Sequence, residues 1–349
     1  MPERILILLP VYNDWQAVSL LIPALDAALP DDVGDVAVLL VDDGSTCEPD
    51  PEWISGLLTR IRTVSILHLR RNLGHQRAIA AGLVYVHEHM LCDAVVVMDA
   101  DGEDRPSDVG VLLRALQAEH GRSVIFAART KRLESPLFRF FYRSYRVIHR
   151  VLTGVPVRVG NFSVIPAAAL SRLVVVSDLW NHYAAAVFRA RIPHKSVPTV
   201  RGARLAGESR MNFVSLLVHG LSAISVFSDV VSARLLAFTS AAILATLFLI
   251  VAVVATRLAT GLAIPGWATT TAGILLVILT QAVLIALVLV FTITSGRANT
   301  SFIPLRDASF FTGRLCNVWP NFVYARVRGI HSSSSAGDVS SQQTVILHE

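Results

Sequence analysis

Four carboxylates within the six positions 99–104 are the strongest chemical signal in the sequence. Asp99, Asp101, Glu103 and Asp104 directly follow a short apolar run. Carboxylates packed this closely repel one another unless a cation balances their charge. Hard oxygen ligands on a tight turn suit Mg²⁺ or Mn²⁺, ions that bridge phosphate groups. The pattern therefore indicates a metal site at Asp99, Asp101 and Glu103, with a solvated acidic turn as the alternative.

Alternating strands and helices are expected to position this cluster. Runs of β-forming residues occupy 4–11, 36–41, 64–69, 94–98 and 123–127, and helical stretches such as 15–29 and 75–91 lie between them. This alternation predicts a mainly parallel sheet with helices on both faces. Ligands of such sheets bind beyond the carboxyl ends of the strands. The first, second and fourth runs each lead into a polar cluster at that edge.

Four short motifs follow one another in a fixed order. They are PVYND at 10–14, VDDGS at 41–45, RNLGHQRA at 71–78 and MDAD at 98–101. In this order and spacing they resemble the family 2 glycosyltransferases, which have a GT-A fold. The closest subgroup in appearance contains dolichol-phosphate mannose synthase and bacterial polyprenyl-phosphate glycosyltransferases.

That subgroup ends its catalytic domain with an Arg-x-x-Arg-x-x-Gly-x-Ser segment and then has two membrane helices. Residues 201–209 of this chain match the segment, and the whole resemblance covers about residues 4–295. It implies metal-dependent transfer of one sugar from a nucleotide-sugar donor to a membrane polyprenyl phosphate.

The resemblance also implies roles for individual residues. Asp101 and Glu103 would bind the metal with support from Asp99, and Glu103 replaces a usual Gln. The residues expected to contact the nucleotide are Pro10, Tyr12, Asp14, Asp42, Gly74, Arg77 and Asp99. Asp14 stands where the family usually has Glu. For Pro10 and Tyr12, the alternative is simply to cap a strand.

Two arginine groups are expected to handle phosphates. Arg129 and Arg132 match basic residues that contact the donor or acceptor and would act in catalysis beside Asp101; the alternative is an exposed loop. The acceptor phosphate is expected to contact Arg201, Arg204, Ser209 and Arg210, whose alternative partners are anionic lipids.

The acceptor half departs from the subgroup. Residues 158–163 replace its Asp-x-Gly-Asp/Ser-Phe-Arg segment and lack the first acid and the last arginine. An ionised acceptor phosphate needs no strong base. The sequence also lacks the Thr-Glu-Asp and Gln-x-x-Arg-Trp motifs of processive polysaccharide synthases. Both points favour a lipid phosphate as the acceptor of the sugar. The alternatives are transfer to a hydroxyl of a lipid or lipid-linked saccharide, with His182 as a base, and a non-catalytic nucleotide-sugar-binding scaffold.

Two long uncharged stretches predict membrane spans at about 235–256 and 270–294, rather than a buried helical hairpin. The expected organisation has four parts: a catalytic domain at 1–210, an interfacial amphipathic helix at 211–232, the two spans within 233–296, and a cytosolic tail at 297–349, disordered from about 332. For residues 211–232, an ordinary packed amphipathic helix is the alternative.

Charge and cysteine content bear on partners and location. The net charge is +5, and arginines flank the predicted spans on both sides, which places both flanks in the cytosol. The expected setting is a bacterial inner or plasma membrane, with membrane lipids as partners and homo-oligomer formation left open. No nucleic-acid-binding pattern accompanies the basic balance. The three cysteines fit no metal or disulfide spacing, as expected of a reducing compartment.

Overall fold

An eight-stranded sheet forms the centre of the molecule. The computed structural model describes residues 1–49, 58–129, 147–154, 159–207, 222–259, 266–298 and 302–320. The strands are β1 Arg4–Val11, β2 Asp35–Asp42, β3 Ile61–Leu69, β4 Ala94–Val97, β5 Val124–Arg129, β6 Ser163–Pro166, β7 His194–Thr199 and β8 Thr312–Trp319. Their spatial order is β7-β5-β6-β4-β1-β2-β3-β8.

The first four strands are mutually parallel where they pair, as the alternation of strands and helices predicts. β1 lies between β2 and β4, and β3 pairs with β2. β6 is antiparallel to β4 and β5, whereas β5 and β7 are parallel. In this register Val11 is opposite Asp42 and Leu8 is opposite Val97. The carboxyl ends of β1, β2 and β4 therefore meet at one edge.

Helices cover both faces of the sheet because successive strand residues point to opposite sides. The helices before the long apolar region are α1 Trp15–Ala28, α2 His75–His89, α3 Pro106–Ala118, α4 Ala167–Leu173 and α5 Tyr183–Arg189. Ile7 of β1 packs in the core with α1 and α3. Its neighbour Leu8 faces the other core, which includes α2, α4 and α5.

Two 32-residue helices form an apolar hairpin: α6 Ser228–Ala259 and α7 Trp267–Ala298. The segments Ser228–Ala259 and Trp267–Thr292 are long and apolar enough to cross a membrane, and their most apolar 18-residue windows have mean hydropathies of 2.5 and 3.1. The predicted spans 235–256 and 270–294 lie within these two helices. Ser232, Thr239 and Thr246 recur every seven residues and are buried, while large side chains such as Phe248 are exposed. Most of the surface of both helices is thus apolar and uncovered.

The chain after the hairpin returns to the catalytic domain. A short helix, α8 Pro304–Asp307, leads into β8, which pairs antiparallel with β3 at the edge of the sheet. Trp180 stacks on Phe302 with ring centroids 4.2 Å apart and also contacts Phe311 at 5.4 Å. We call residues 302–320 the return segment.

The return segment was not anticipated. The sequence prediction placed 297–349 in a tail, but 302–320 belong to the sheet and its flanking core. Local sequence signals did not reveal this strand, because its partner β3 lies about 250 residues earlier in the chain, as the Ser65–Asn317 side-chain hydrogen bond shows. The predicted disorder from about 332 lies outside the described residues, as does 211–221 of the predicted interfacial helix.

Candidate active site

The acidic cluster lies on the turn that follows β4. The Met98 N–H donates to the Leu8 carbonyl, which extends the β1–β4 pairing by one residue. Asp104 is buried and its carboxylate accepts a hydrogen bond from the Asp99 N–H at 3.1 Å. The Asp101 carboxylate accepts from the Glu103 N–H at 3.0 Å. These local bonds hold the acidic turn in a defined shape at the edge of the sheet.

Residues 201–207 cross this turn, and we call them the strap. The Gly202 N–H donates to the Glu103 carbonyl at 2.7 Å, and the Leu205 N–H donates to the Asp101 carbonyl at 3.0 Å. Gly102 has a φ of +82°, and a Cβ built on it would lie 2.4 Å from the Leu205 side chain. Glycine thus permits both the conformation of the turn and the close approach of the strap.

Two strap arginines bind carboxylates of the predicted site. Arg204 donates to Asp101 at 3.2 Å and to Asp14 at 3.0 Å, so its guanidinium bridges the ends of β1 and β4. Arg201 forms an ion pair with Glu103. The prediction assigned both arginines to an acceptor phosphate and Asp14 to the nucleotide. The structure places all three side chains at the acidic turn, and their roles toward phosphate and nucleotide stay predictions.

Asp99 faces the start of α2, where His75 follows Gly74. Nε2 of His75 lies 3.1 Å from Oδ1 of Asp99 and 3.0 Å from Nδ2 of Asn161. Gln76 donates to Asn161 at 3.0 Å and accepts from the Tyr183 N–H at 2.8 Å. His75, Gln76 and Asn161 had no assigned role. The signal available for the first two was their position inside the RNLGHQRA motif.

The two acids at the end of β2 serve different partners. Asp42, expected to contact the base or ribose, accepts from the Ser45 N–H at 2.9 Å, and its second oxygen lies 2.8 Å from Nδ1 of His68. Asp43 accepts from the Leu73 and Gly74 N–H groups at 2.6 and 2.9 Å.

Gly74 has a φ of +89° and open space where a side chain would point. Its predicted role was close backbone approach by the nucleotide. The open space is consistent with that prediction, and Asp43 fixes the backbone there.

Asn13 connects the loops after β1 and β2. It lies at a φ of +56°, its N–H donates to the Ser45 hydroxyl at 2.9 Å, and its side-chain oxygen accepts from the Thr46 N–H at 2.8 Å. Pro10 is buried within β1, whereas Tyr12 is 39% exposed. Pro10, Tyr12 and Asp14 are the residues predicted to line the base pocket, and of the first two only Tyr12 presents surface to a ligand.

The other predicted residues lie on other elements or outside the described residues. The Arg77 guanidinium lies 5.9 Å from the centre of the Trp180 ring. Arg129 is the last residue of β5, and Arg132, Ser209 and Arg210 lie outside the described ranges. His182, considered as a base, is buried and accepts a hydrogen bond from the Ala185 N–H, so it caps α5. These contacts give His182 a structural role.

Burial and neighbouring charges set the protonation of the acids. Burial raises the pKa of Asp101, and the nearby carboxylates of Asp99 and Glu103 raise it further. Burial likewise raises the pKa of Asp43. For Asp42, burial is outweighed by hydrogen bonds from His68 and Ser45, which lower its pKa. Burial alone would lower the pKa of His75, but the surrounding carboxylates, Asp99 first, raise it.

The chemistry of the acidic turn fits a hard divalent cation. The described residues contain no preformed group of three or more metal-ligating side chains. Mg²⁺ commonly takes only one or two carboxylates together with substrate phosphates, so such a cage is not required. Burial, together with the neighbouring carboxylates, raises the pKa of Asp101, and a bound cation would stabilise its ionised form.

Comparison with known proteins identifies the domain. Residues 6–174 match the model of glycosyl transferase family 2. These residues form a family 2 glycosyltransferase domain. The predicted fold class, a GT-A mainly parallel sheet with helices on both faces followed by two apolar helices, is confirmed, and the chain is a glycosyltransferase enzyme. The predicted subgroup resemblance is confirmed as well, because similar proteins include a transferase named for undecaprenyl phosphate.

Individual relatives are distant. The glycosyltransferase YkcC of Bacillus subtilis is 27% identical over 228 residues, 64% of this chain and 68% of that protein. Undecaprenyl-phosphate 4-deoxy-4-formamido-L-arabinose transferase of Erwinia tasmaniensis is 24% identical over 221 residues, 62% and 65% of the two chains. The match to the second relative thus spans slightly less than two thirds of its length.

A solved structure is similar to this chain at low identity. Glucosyl-3-phosphoglycerate synthase from Mycobacterium tuberculosis, in complex with Mn²⁺, uridine-diphosphate-glucose and phosphoglyceric acid, is 16% identical with a TM-score of 0.46. The match covers 66% of this chain and 80% of the synthase chain.

Proposed function

We propose that this glycosyltransferase moves one sugar from a nucleotide-sugar donor to a membrane polyprenyl phosphate, using Mg²⁺ or Mn²⁺ held by Asp99, Asp101 and Glu103. The observation that carries the proposal is the acidic turn at the carboxyl edge of the sheet, crossed by a strap that brings Arg201 and Arg204 to its carboxylates. Side chains suited to bind a cation and side chains suited to bind phosphate thus lie next to each other at the acidic turn.

The donor half of the site follows from the strand ends. The loops after β1 and β2 carry Tyr12 and Asp42, and the Asp43-bound turn at Gly74 leaves open space beside them. These features support nucleotide binding beside the acidic turn.

The transfer itself needs little proton chemistry. An oxygen of the acceptor phosphate attacks the anomeric carbon, and the bond from that carbon to the donor diphosphate breaks, so the nucleoside diphosphate leaves with the electron pair. A divalent cation, when bound, would neutralise the charge on the leaving diphosphate. Arg201 and Arg204 lie where they can stabilise phosphate oxygens. Because the acceptor is already ionised, no general base is needed, in agreement with the capping role of His182.

The hairpin supports a membrane acceptor. α6 begins next to the catalytic domain, where Arg189 of α5 holds Asp229 through two hydrogen bonds of 2.8 and 2.9 Å. After α7 the return segment rejoins the same domain. Since both ends of the hairpin are attached to this domain, a lipid-linked acceptor would be presented close to it. The similarity to a transferase named for undecaprenyl phosphate supports the same acceptor class.

The proposal is tested by metal-dependent turnover in detergent. We expect release of nucleoside diphosphate from a nucleotide sugar to require Mg²⁺ or Mn²⁺ and to accelerate when undecaprenyl phosphate is added. Asp101→Asn removes a charge worth several kcal/mol to the transition state and should lower the rate about 100-fold or more. Asp35→Asn makes the same change at the opposite end of the sheet, where Asp35 pairs with Arg62, and should leave the rate unchanged.

Two results would contradict the proposal. Full activity of Asp101→Asn in Mg²⁺ would remove the metal role of the acidic turn. Acceleration by a lipid-linked saccharide with a free hydroxyl, but not by undecaprenyl phosphate, would move the acceptor to the hydroxyl class.

A further inference from the structure

The strap arginines bind the same oxygens that a metal ion would need. Asp101 and Arg204 are only 17% and 18% exposed, and one guanidinium nitrogen lies 3.2 Å from Oδ2 of Asp101. Glu103 is 19% exposed and pairs with Arg201. Two of the three carboxylates proposed as metal ligands are therefore already neutralised by side chains of this chain.

A guanidinium and a divalent cation exclude each other at one carboxylate oxygen. Both need the same lone pairs, and the positive charges repel at contact distance. We propose that Arg201 and Arg204 form an electrostatic interlock: they leave Glu103 and Asp101 when the metal–donor complex binds, and only then become available to hold phosphate. This inference rests on the metal site of the proposed function and adds an order of events to it, with donor binding preceding capture of the acceptor phosphate.

The backbone of the strap allows the exchange to be local. The Gly202 and Leu205 N–H groups are bonded to the carbonyl oxygens of Glu103 and Asp101, not to their carboxylates. A metal ion can therefore take the carboxylates without breaking these two bonds. Only the arginine side chains need to rotate.

Asp14 keeps Arg204 near the site during the exchange. Nη2 of Arg204 lies 3.0 Å from Oδ1 of Asp14, and Nη1 faces Asp101. When the metal takes Asp101, the Arg204 guanidinium rotates about its Asp14 contact, and Nη1 becomes available to a phosphate. A guanidinium held by one carboxylate can donate its remaining N–H groups to a phosphate oxygen.

The test measures binding of Mn²⁺ alone to the full chain in detergent micelles. Binding is monitored as the loss of the electron paramagnetic resonance signal of free Mn²⁺. Arg204→Met removes the competing guanidinium and should tighten Mn²⁺ binding about fivefold or more. Leu205→Ala keeps both arginines but removes the side chain that packs on Gly102, and should tighten binding by a smaller factor. Thermal unfolding of each variant verifies that it is folded.

Arg105→Met is the matched control for net charge. Arg105 is exposed, lies two residues after Glu103, and makes no ion pair with any of the residues the structure describes. A direct competition predicts that this variant binds Mn²⁺ like the wild type. Equal tightening in Arg105→Met and Arg204→Met, or none in Arg204→Met, would overturn the interlock.

A second arm separates this inference from the proposed function. Mn²⁺ binding is also measured with UDP, GDP, ADP and CDP in turn. If the wild type binds Mn²⁺ with one of these nucleotides and Arg204→Met shows no gain with Mn²⁺ alone, the interlock fails and the metal site stands. If no Mn²⁺ binds under any condition, the metal-dependent function fails and the interlock fails with it.

Discussion

At the scale of single residues, the site depends on close contacts between its turn and its strap. Gly102 lies between Asp101 and Glu103, and its missing side chain is what lets Leu205 of the strap pack on the turn. Arg204 then reaches both Asp14 and Asp101. A change at the glycine is therefore expected to disturb the carboxylates on either side of it without altering any charge.

Gly102→Ala is predicted to impair the site beyond its effect on stability. Alanine at a positive φ destabilises the fold by about 1–2 kcal/mol, and the new Cβ would also push Leu205 away. Gly121→Ala is the matched control, because Gly121 has a φ of +68° but nothing within 4 Å of its added Cβ. Both variants should unfold at lowered temperatures, Gly102→Ala at the lower one because of its clash with Leu205, and only Gly102→Ala should bind the metal–nucleotide complex differently while still folded. Equal binding by the two would show that the strap contact has no part in ligand binding.

At the scale of elements, the return segment packs against the residues that lead into the turn at Gly74. The Arg70 N–H donates to the Phe311 carbonyl at 2.9 Å, and the Arg71 guanidinium lies 5.5 Å from the Phe311 ring centre. These arginines lead directly into the turn at Gly74, which Asp43 holds. The return segment, which follows the apolar hairpin, thus packs beside the residues proposed to contact the nucleotide.

Phe311→Ala is predicted to weaken both the fold and nucleotide binding. Loss of the ring removes its contacts with Trp180 and Phe302 and should lower the free energy of unfolding by about 2 kcal/mol, since Phe311 is only partly buried. Nucleotide affinity should fall because the segment before Gly74 loosens. Phe310→Ala is the control, as the Phe310 side chain is 68% exposed. If the two variants bind nucleotide equally well, the return segment does not position the donor site.

At the scale of the whole molecule, the hairpin and the sheet impose one topology. The domain before α6 is attached to the start of this helix by the Arg189–Asp229 ion pair, and the chain rejoins the domain in β8. Both ends of the hairpin must therefore lie on the same side of any membrane it spans. The arginines on its flanks favour the cytosolic side for the domain.

Reporter accessibility tests this topology. We predict that a tag inserted at Gly261, between the two helices, is labelled from outside intact cells, whereas a tag at Ser334 is labelled only after the membrane is permeabilised. The expected difference follows from the odd number of crossings between the two sites. Labelling of Ser334 but not of Gly261 in intact cells would place the catalytic domain outside the cytosol, where nucleotide sugars are scarce.

The sequence by itself determined the features that repeat locally or stand next to one another. Alternating apolar runs define the parallel strands, uncharged stretches define the two long helices, and adjacent acids define the turn after β4. Each of these signals depends on neighbouring residues, because period and hydropathy are properties of a short window.

Only the tertiary structure decided which distant groups meet. Arg204 is 103 residues from Asp101 and 190 from Asp14, and no local pattern pairs them. The same holds for His75 with Asp99 and for β8 with β3, whose contacts arise because the sheet brings strand ends and the return segment to common edges. The physical reason is that the packing of whole elements decides which partner a side chain contacts, whereas the sequence already gives the chemical type of that side chain.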